Sequence, residues 1–201
     1  QRLCYDFGSV NYGTESSSCF TSTIMSWRLA TGADFAAPDL RNAGIFLGWC
    51  YNAYYAQHLM IGGVDKARER GMKVIIVDPR ITPAVEKQCD LHLRIKPGTD
   101  CALALGLARE LIFNDWVDHD YIEKNVYGYE QYKQYVMDFP PERVEQLTDV
   151  PADQIRLAAK MIHENMPLTI NQSGAALVHH TNGMQTHRAV MALSALMGTY
   201  D

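Results

Sequence analysis

The sequence predicts an α/β domain of three layers, a mainly parallel sheet flanked on both faces by helices. Three observations carry that prediction. The stretch "MKVIIVDP", 72–79, is a nearly unbroken β-branched run closed by Asp-Pro, the pattern of a strand covered on both faces. Strand-like runs alternate with capped helical stretches along the chain, as right-handed crossovers between parallel strands require. With 201 residues, 47% hydrophobic and 20% charged, the chain can bury one sizeable core.

In chain order, "AGIFLGW", 43–49, is an apolar run that predicts a first strand near 44–49. A helical pattern runs from about Ala53 to Arg70 and stops at Gly71. The second strand spans 73–78, and the alternating "LHLRI", 91–95, gives a third. In the turn "PGTD", 97–100, Thr99 or Asp100 can cap a helix from about Cys101 to Asn114. From Trp116 to Leu147, tyrosines and charges predict short helices. The next helix reaches Asn165, capped by Thr148 or Asp149, with Pro151 near its first turn and Ile155, Ala158, Ala159 and Ile162 on one face. "LTINQSG" predicts a strand near 168–172, and "GMQTHRAVMALSALMG" a closing helix. Repeats and low-complexity tracts are absent.

A net charge of −5 offers no field to recruit nucleic acid. Cys4, Cys19, Cys50, Cys89 and Cys101 are odd in number and never in CxxC spacing. This excludes a zinc ribbon or iron–sulfur cluster within the stretch and argues against a disulfide framework. The uncharged run between Arg41 and Asp65 is long enough to span a bilayer. Asn52, Gln57 and His58 interrupt it and Gly62 and Gly63 follow, so a strand, turn and helix explain it better. The chain starts at Gln1 and reads as a piece of a longer protein, with 1–18 leading in from an upstream domain and 167–201 leading on.

In such sheets ligands lie at the carboxyl ends of the strands. Asn52 follows the first strand with an amide, and the helix after it offers an amide-rich N-terminus as a phosphate seat. After the second strand, Asp78 can accept from ribose hydroxyls, and Arg80 can pair with phosphate or stack on a base. After the third, Asp100 can accept from the amino and imino edge of a guanine. After the fourth, the glycine of "NQSGAALVHHTNG" can let a bulky group approach the backbone. Each feature alone also fits a plain turn or cap, and it is their shared edge that groups them. The set describes a nucleotide site without the GxGxxG fingerprint. Upstream, "ESSSCFTST", 15–23, crowds hydroxyls around Cys19, which could be a nucleophile, a metal ligand or a packed turn residue. His179, His180 and His187 lack the spacing of a zinc site. His180 is a candidate to line the pocket, and His58, His92, His119 and His163 read as surface or edge residues.

Together these residues resemble the molybdopterin oxidoreductase family, the dimethyl-sulfoxide-reductase-like enzymes. The resemblance rests on "WCYN", "IIVDPRITPAVEKQCD", "PGTDCALALGLA", "DVPADQIRLAAKMI" and "QSGAALVHHTNGMQTHRAVMALSALMGTYD", in order and over nearly the whole chain. It implies a Rossmann-like α/β domain binding a molybdopterin dinucleotide over 19–166, with 167–201 as its final strand and helix. The implied cofactor is molybdenum or tungsten held by a pair of molybdopterin guanine dinucleotides. Asn52, Asp78, Arg80 and Asp100 would contact one of the pair, and Gly98 and Thr99 would shape its pocket. The family places its metal ligand about thirty residues before the Gly-x-Asn turn. Cys19 stands 33 residues before Asn52 and is the implied ligand and catalytic residue.

The resemblance further implies a [4Fe-4S] cluster in the upstream region, a small-molecule substrate, an iron–sulfur electron-transfer subunit as partner and two-electron redox or oxygen- or sulfur-atom transfer. The stretch alone would not turn over, and no membrane span belongs to it. Two departures stand out. Cys50 replaces the usual glycine of the turn, and Phe20 replaces the histidine that formate dehydrogenases usually carry, which argues against formate. Three other readings stay open: a non-catalytic nucleotide-binding or assembly module, a non-redox hydratase or hydroxyl transferase of the same family, and a thiol enzyme with Cys19 as nucleophile.

Overall fold

The structure, a computed structural model, describes residues 2–13, 19–34, 36–172 and 174–200. Four strands, β1 (Ile45–Trp49), β2 (Lys73–Val77), β3 (Leu91–Leu93) and β4 (Leu168–Gln172), form one sheet in the order β3-β2-β1-β4. Every pair is parallel, with Trp49 level with Val77 on one side and Gln172 on the other. The helices are α1 (Arg2–Asp6), α2 (Thr21–Thr31), α3 (Ala53–Ala56), α4 (His58–Glu69), α5 (Pro83–Gln88), α6 (Asp100–Phe113), α7 (His119–Asn125), α8 (Tyr129–Val136), α9 (Pro141–Thr148), α10 (Ala152–Glu164), α11 (Gly174–Val178) and α12 (Gly183–Leu196).

Strand periodicity divides the core in two. Ile45, Leu47 and Trp49 of β1 and Ile75 and Val77 of β2 pack on one face with apolar residues of α6, α10 and α12. Phe46, Val74 and Ile76 point to the other face, against Val64 and Ala67 of α4 and Ala84 of α5. The three expected layers are therefore present, and β1, buried at all five positions, is central. Gly48 allows the chain to double back: a Cβ there would lie 2.7 Å from the Cβ of Tyr51.

Several local expectations are corrected. The helix expected from Ala53 to Arg70 is two, because Gln57 leaves helical geometry at φ −137°, ψ 55°. The apolar stripe lapses there, since Tyr55 and Leu59 are exposed and the buried face resumes only at Val64. The phosphate seat read at that helix is a single turn. Thr99 is the N-cap of α6, but its hydroxyl donates to Lys96 O at 2.7 Å, and Asp100 is already helical. Thr148 and Asp149 do not cap α10. They close α9, with Asp149 left-handed at φ 62°, and Pro151 precedes α10. The second and third strands end at Val77 and Leu93. α5 was not anticipated: Thr82 caps it by accepting from Val85 N, with Pro83 at its first turn.

Candidate functional site

A parallel sheet brings all strand carboxyl ends to one edge. Here the strand order reverses between β1 and β4, which opens a crevice there. Cys50 N donates to Val77 O at 2.7 Å and Asp78 N to Leu93 O at 3.3 Å, which ties the three strand ends together.

Asp78 is 3% exposed. Its Oδ1 accepts from Arg80 N at 2.8 Å, and the largely exposed Arg80 guanidinium lies 3.8 Å from the same oxygen. His92 Nε2 lies 2.8 Å from Asp78 O. A carbonyl can only accept, so that nitrogen carries the proton. Asp100, also 3% exposed, stands in the first turn of α6, where a helix N-terminus favours an anion. Its Oδ1 accepts from Trp49 Nε1 at 2.8 Å. In each carboxylate the other oxygen accepts from no described residue. Gly98 turns at φ 82° with nothing within 4 Å of where a side chain would stand, leaving open space before Asp100. Asn52 Oδ1, just past β1, and Gln172 Oε1, at the end of β4, are buried with no hydrogen-bond partner among the described residues.

Cys50 sits among these groups. Burial pushes its thiol pKa well up, the Asp100 and Asp78 carboxylates push it further, and Arg80 opposes them. Asp78, Arg80 and Asp100 therefore all lie within electrostatic reach of Cys50, two residues before Asn52. Cys50 adopts φ 54°, the left-handed region that favours glycine. That geometry explains why a glycine suits this position and shows that cysteine keeps the turn.

Cys19 is half-buried in a turn that leads into α2. A side chain at Gly174, just past β4, would meet Phe20 and Thr23 Oγ1 at 3.6 and 3.7 Å. The room at that glycine is thus taken by Phe20 and the start of α2, which brings the Cys19 turn near the carboxyl end of β4. The hydroxyl-rich residues 15–18 lie outside the described residues. Among the described residues, His180 Nε2 and both ring nitrogens of His187 are buried without a partner, and burial lowers the His187 pKa to about 4. Among the described residues, no three His, Cys, Asp or Glu side chains gather as a metal-binding group. No helix among them is long and apolar enough to cross a membrane. A hollow of about 460 Å³ lies at the opposite end of β2, lined by Asp65, Arg68, Lys73 and Asp90, away from these groups.

Two positions at this edge were not singled out in the sequence: Trp49, read only as a strand residue, and Gln172. The signal was position alone, since each is the last residue of its strand. His92, read as a surface or edge residue, lies on the edge strand β3, and its ring buttresses the Asp78 carbonyl. The residues present fit a nucleotide-bearing cofactor. Two buried carboxylates each leave one acceptor oxygen unused, and two orphaned amide oxygens lie at the crevice.

The family model described as molybdopterin oxidoreductase matches residues 2–201. The chain is 28% identical over 200 residues to the probable oxidoreductase YoaE of Bacillus subtilis, covering all of this chain and 29% of that protein. It is 31% identical over 212 residues to the probable dimethyl sulfoxide reductase chain YnfF of Escherichia coli, covering 93% of this chain and 26% of that one. Among solved structures, acetylene hydratase from Pelobacter acetylenicus superposes with a TM-score of 0.86 at 26% identity, covering 99% of this chain and 27% of that chain. The chain spans less than a third of the length of these relatives.

Proposed function

Since this chain belongs to the molybdopterin oxidoreductase family, we propose that it forms the part of a molybdenum- or tungsten-dependent catalytic subunit that seats one of two molybdopterin guanine dinucleotides and ligates the metal. The observation that carries this reading is the pair of buried carboxylates, Asp78 and Asp100, each with one oxygen fixed by the chain and one unused at the same edge. Asp100 accepts from the amino and imino edge of guanine, and Asp78 from ribose hydroxyls. Arg80, mostly exposed, pairs with phosphate or stacks on the base. Asn52 supplies the acceptor that is otherwise orphaned, and Gly98 and Thr99 leave the guanine room.

Cys19, as thiolate, is the protein ligand of the metal, a soft donor matched to a metal already held by dithiolenes. When bound, the cofactor supplies a two-electron centre for oxygen- or sulfur-atom transfer, while the chain holds and orients it. A [4Fe-4S] cluster upstream and an iron–sulfur electron-transfer subunit complete the enzyme that takes a small-molecule substrate.

The test is compositional. The full-length protein should release two GMP per molybdenum or tungsten on acid hydrolysis, and Asp100→Ala should lower that ratio. A full-length protein with neither metal nor GMP overturns the proposal and leaves a non-catalytic assembly module. The likeness to acetylene hydratase favours one second reading, hydration without net redox. Turnover of acetylene with no electron acceptor present would select it.

A further inference from the structure

Asp100 is a costly residue to bury. A carboxylate at 3% exposure needs hydrogen bonds, yet among the described residues its side chain has one donor, the indole N–H of Trp49 at 2.8 Å. The side chain is not needed for capping, because Thr99 holds that position and turns its own hydroxyl to Lys96 O. Nor does Trp49 require a carboxylate, since any carbonyl would satisfy an indole N–H. Pairing it with a charged group whose second oxygen stays unpartnered has a different consequence: it fixes the plane of the carboxyl group. Trp49 can do this rigidly. It is fully buried at the end of the central strand, held in register between Val77 and Gln172.

We infer that Trp49 is a positioning residue for nucleobase selection. Its indole N–H anchors one lone pair of Asp100 Oδ1 and so aims the remaining acceptor sites of the carboxylate at the paired N–H groups of a guanine edge. This rests on the guanine reading of Asp100 given above. A carboxylate free to rotate would still attract a donor, but would discriminate less well between a base offering two adjacent N–H groups and one offering a single N–H.

The experiment uses apo full-length protein and three probes, GDP, IDP (which lacks the 2-amino group) and ADP. The parent should bind GDP more tightly than IDP, and IDP more tightly than ADP. Trp49→Phe, which keeps a ring and removes the N–H, should weaken GDP about tenfold and bring GDP and IDP closer together. In an Asp100→Ala background, Trp49→Phe should change GDP binding less than twofold, because its effect passes through that carboxylate. Equal weakening of all three probes, an unchanged GDP-to-IDP ratio, or an undiminished effect in the Asp100→Ala background overturns the inference while leaving the guanine site standing. A parent with no preference for GDP over ADP overturns the guanine reading itself, and the positioning role with it. Should Trp49→Phe fail to fold, the benzothiophene isostere of Trp49, with sulfur in place of N–H, provides the same comparison at unchanged shape.

Discussion

On the β2–β3 side of the carboxyl edge, the chain holds its own polar groups. Asp78 is fixed by Arg80 N and by His92 beneath its carbonyl, and Asp100 is fixed by Trp49. On the β4 side the arrangement is the reverse. Gln172 Oε1, His180 Nε2 and both nitrogens of His187 are buried with no partner among the described residues. Each such group costs about 1–3 kcal/mol while unpaired. One side is thus organised before any ligand arrives, whereas the other leaves buried polar atoms without partners among the described residues. Such groups persist where a partner from outside the described residues, ligand or neighbouring chain, can satisfy them.

The largest expected effect tests the β4 side through Cys19. In the full-length parent, Cys19→Ala should reduce turnover to background while stability changes by only about 1 kcal/mol, because a half-buried turn residue carries little packing. Cys19→Ser should retain partial or altered turnover, since an alkoxide can also ligate. Metal content measured alongside turnover decides the matter: Cys19→Ala with full metal and near-normal turnover would show that Cys19 is no ligand.

His187 gives the next effect. Its folded pKa of about 4 lies below its ordinary 6.5, so the unfolded state takes up the proton first. Stability is full above about pH 6.5 and declines as pH falls toward 4, by about 3 kcal/mol in total from this group. Melting temperatures across that range should fall more steeply for the parent than for His187→Leu. Parallel profiles would show that His187 gains a partner in the full protein.

At the pre-organised side, Cys50→Val should cost about 2 kcal/mol, because a β-branched residue resists φ 54°, whereas Cys50→Gly should stay within about 1 kcal/mol of the parent. Denaturant midpoints of the two variants check this. The smallest effect on stability belongs to Asn52→Ala. Removing an orphaned oxygen should leave the melting temperature unchanged or slightly raised, while GMP content falls. A clear loss of stability would mean that Asn52 is structural and would blur the contrast between the two sides.

The strands were legible because buried parallel strands leave β-branched and aromatic runs, and Asp78 and Asn52 were legible because they follow such runs closely. Asp100 was visible as a candidate, but its freedom from capping was not, since Thr99 and Asp100 are equally good caps on paper. The Trp49–Asp100 bond joins residues 51 apart, and no local pattern records it. The break at Gln57 was hidden because His58–Glu69 continues a helical composition. What interrupts the helix is missing tertiary support around Tyr55 and Leu59, which a propensity reading does not weigh. Cys50 was flagged only as a departure from a glycine pattern, and the backbone angle supplies the reason.

The strand order also bears on how the molecule assembles. β1 meets β2 by closing a short crossover, but meets β4 only by joining Ile45 to Leu168, more than a hundred residues away. Loop-closure entropy makes the second pairing costlier by roughly 1 kcal/mol, and long-range parallel pairing is slow. The β1–β2–β3 unit is therefore expected to order first as the chain leaves the ribosome, with Asp78 already under its His92 buttress. The β1/β4 crevice, with Asn52 and Gln172 on its two banks, closes last. A ligand that spans both banks would then act as a late clasp, captured by a nearly finished protein rather than serving as its nucleus.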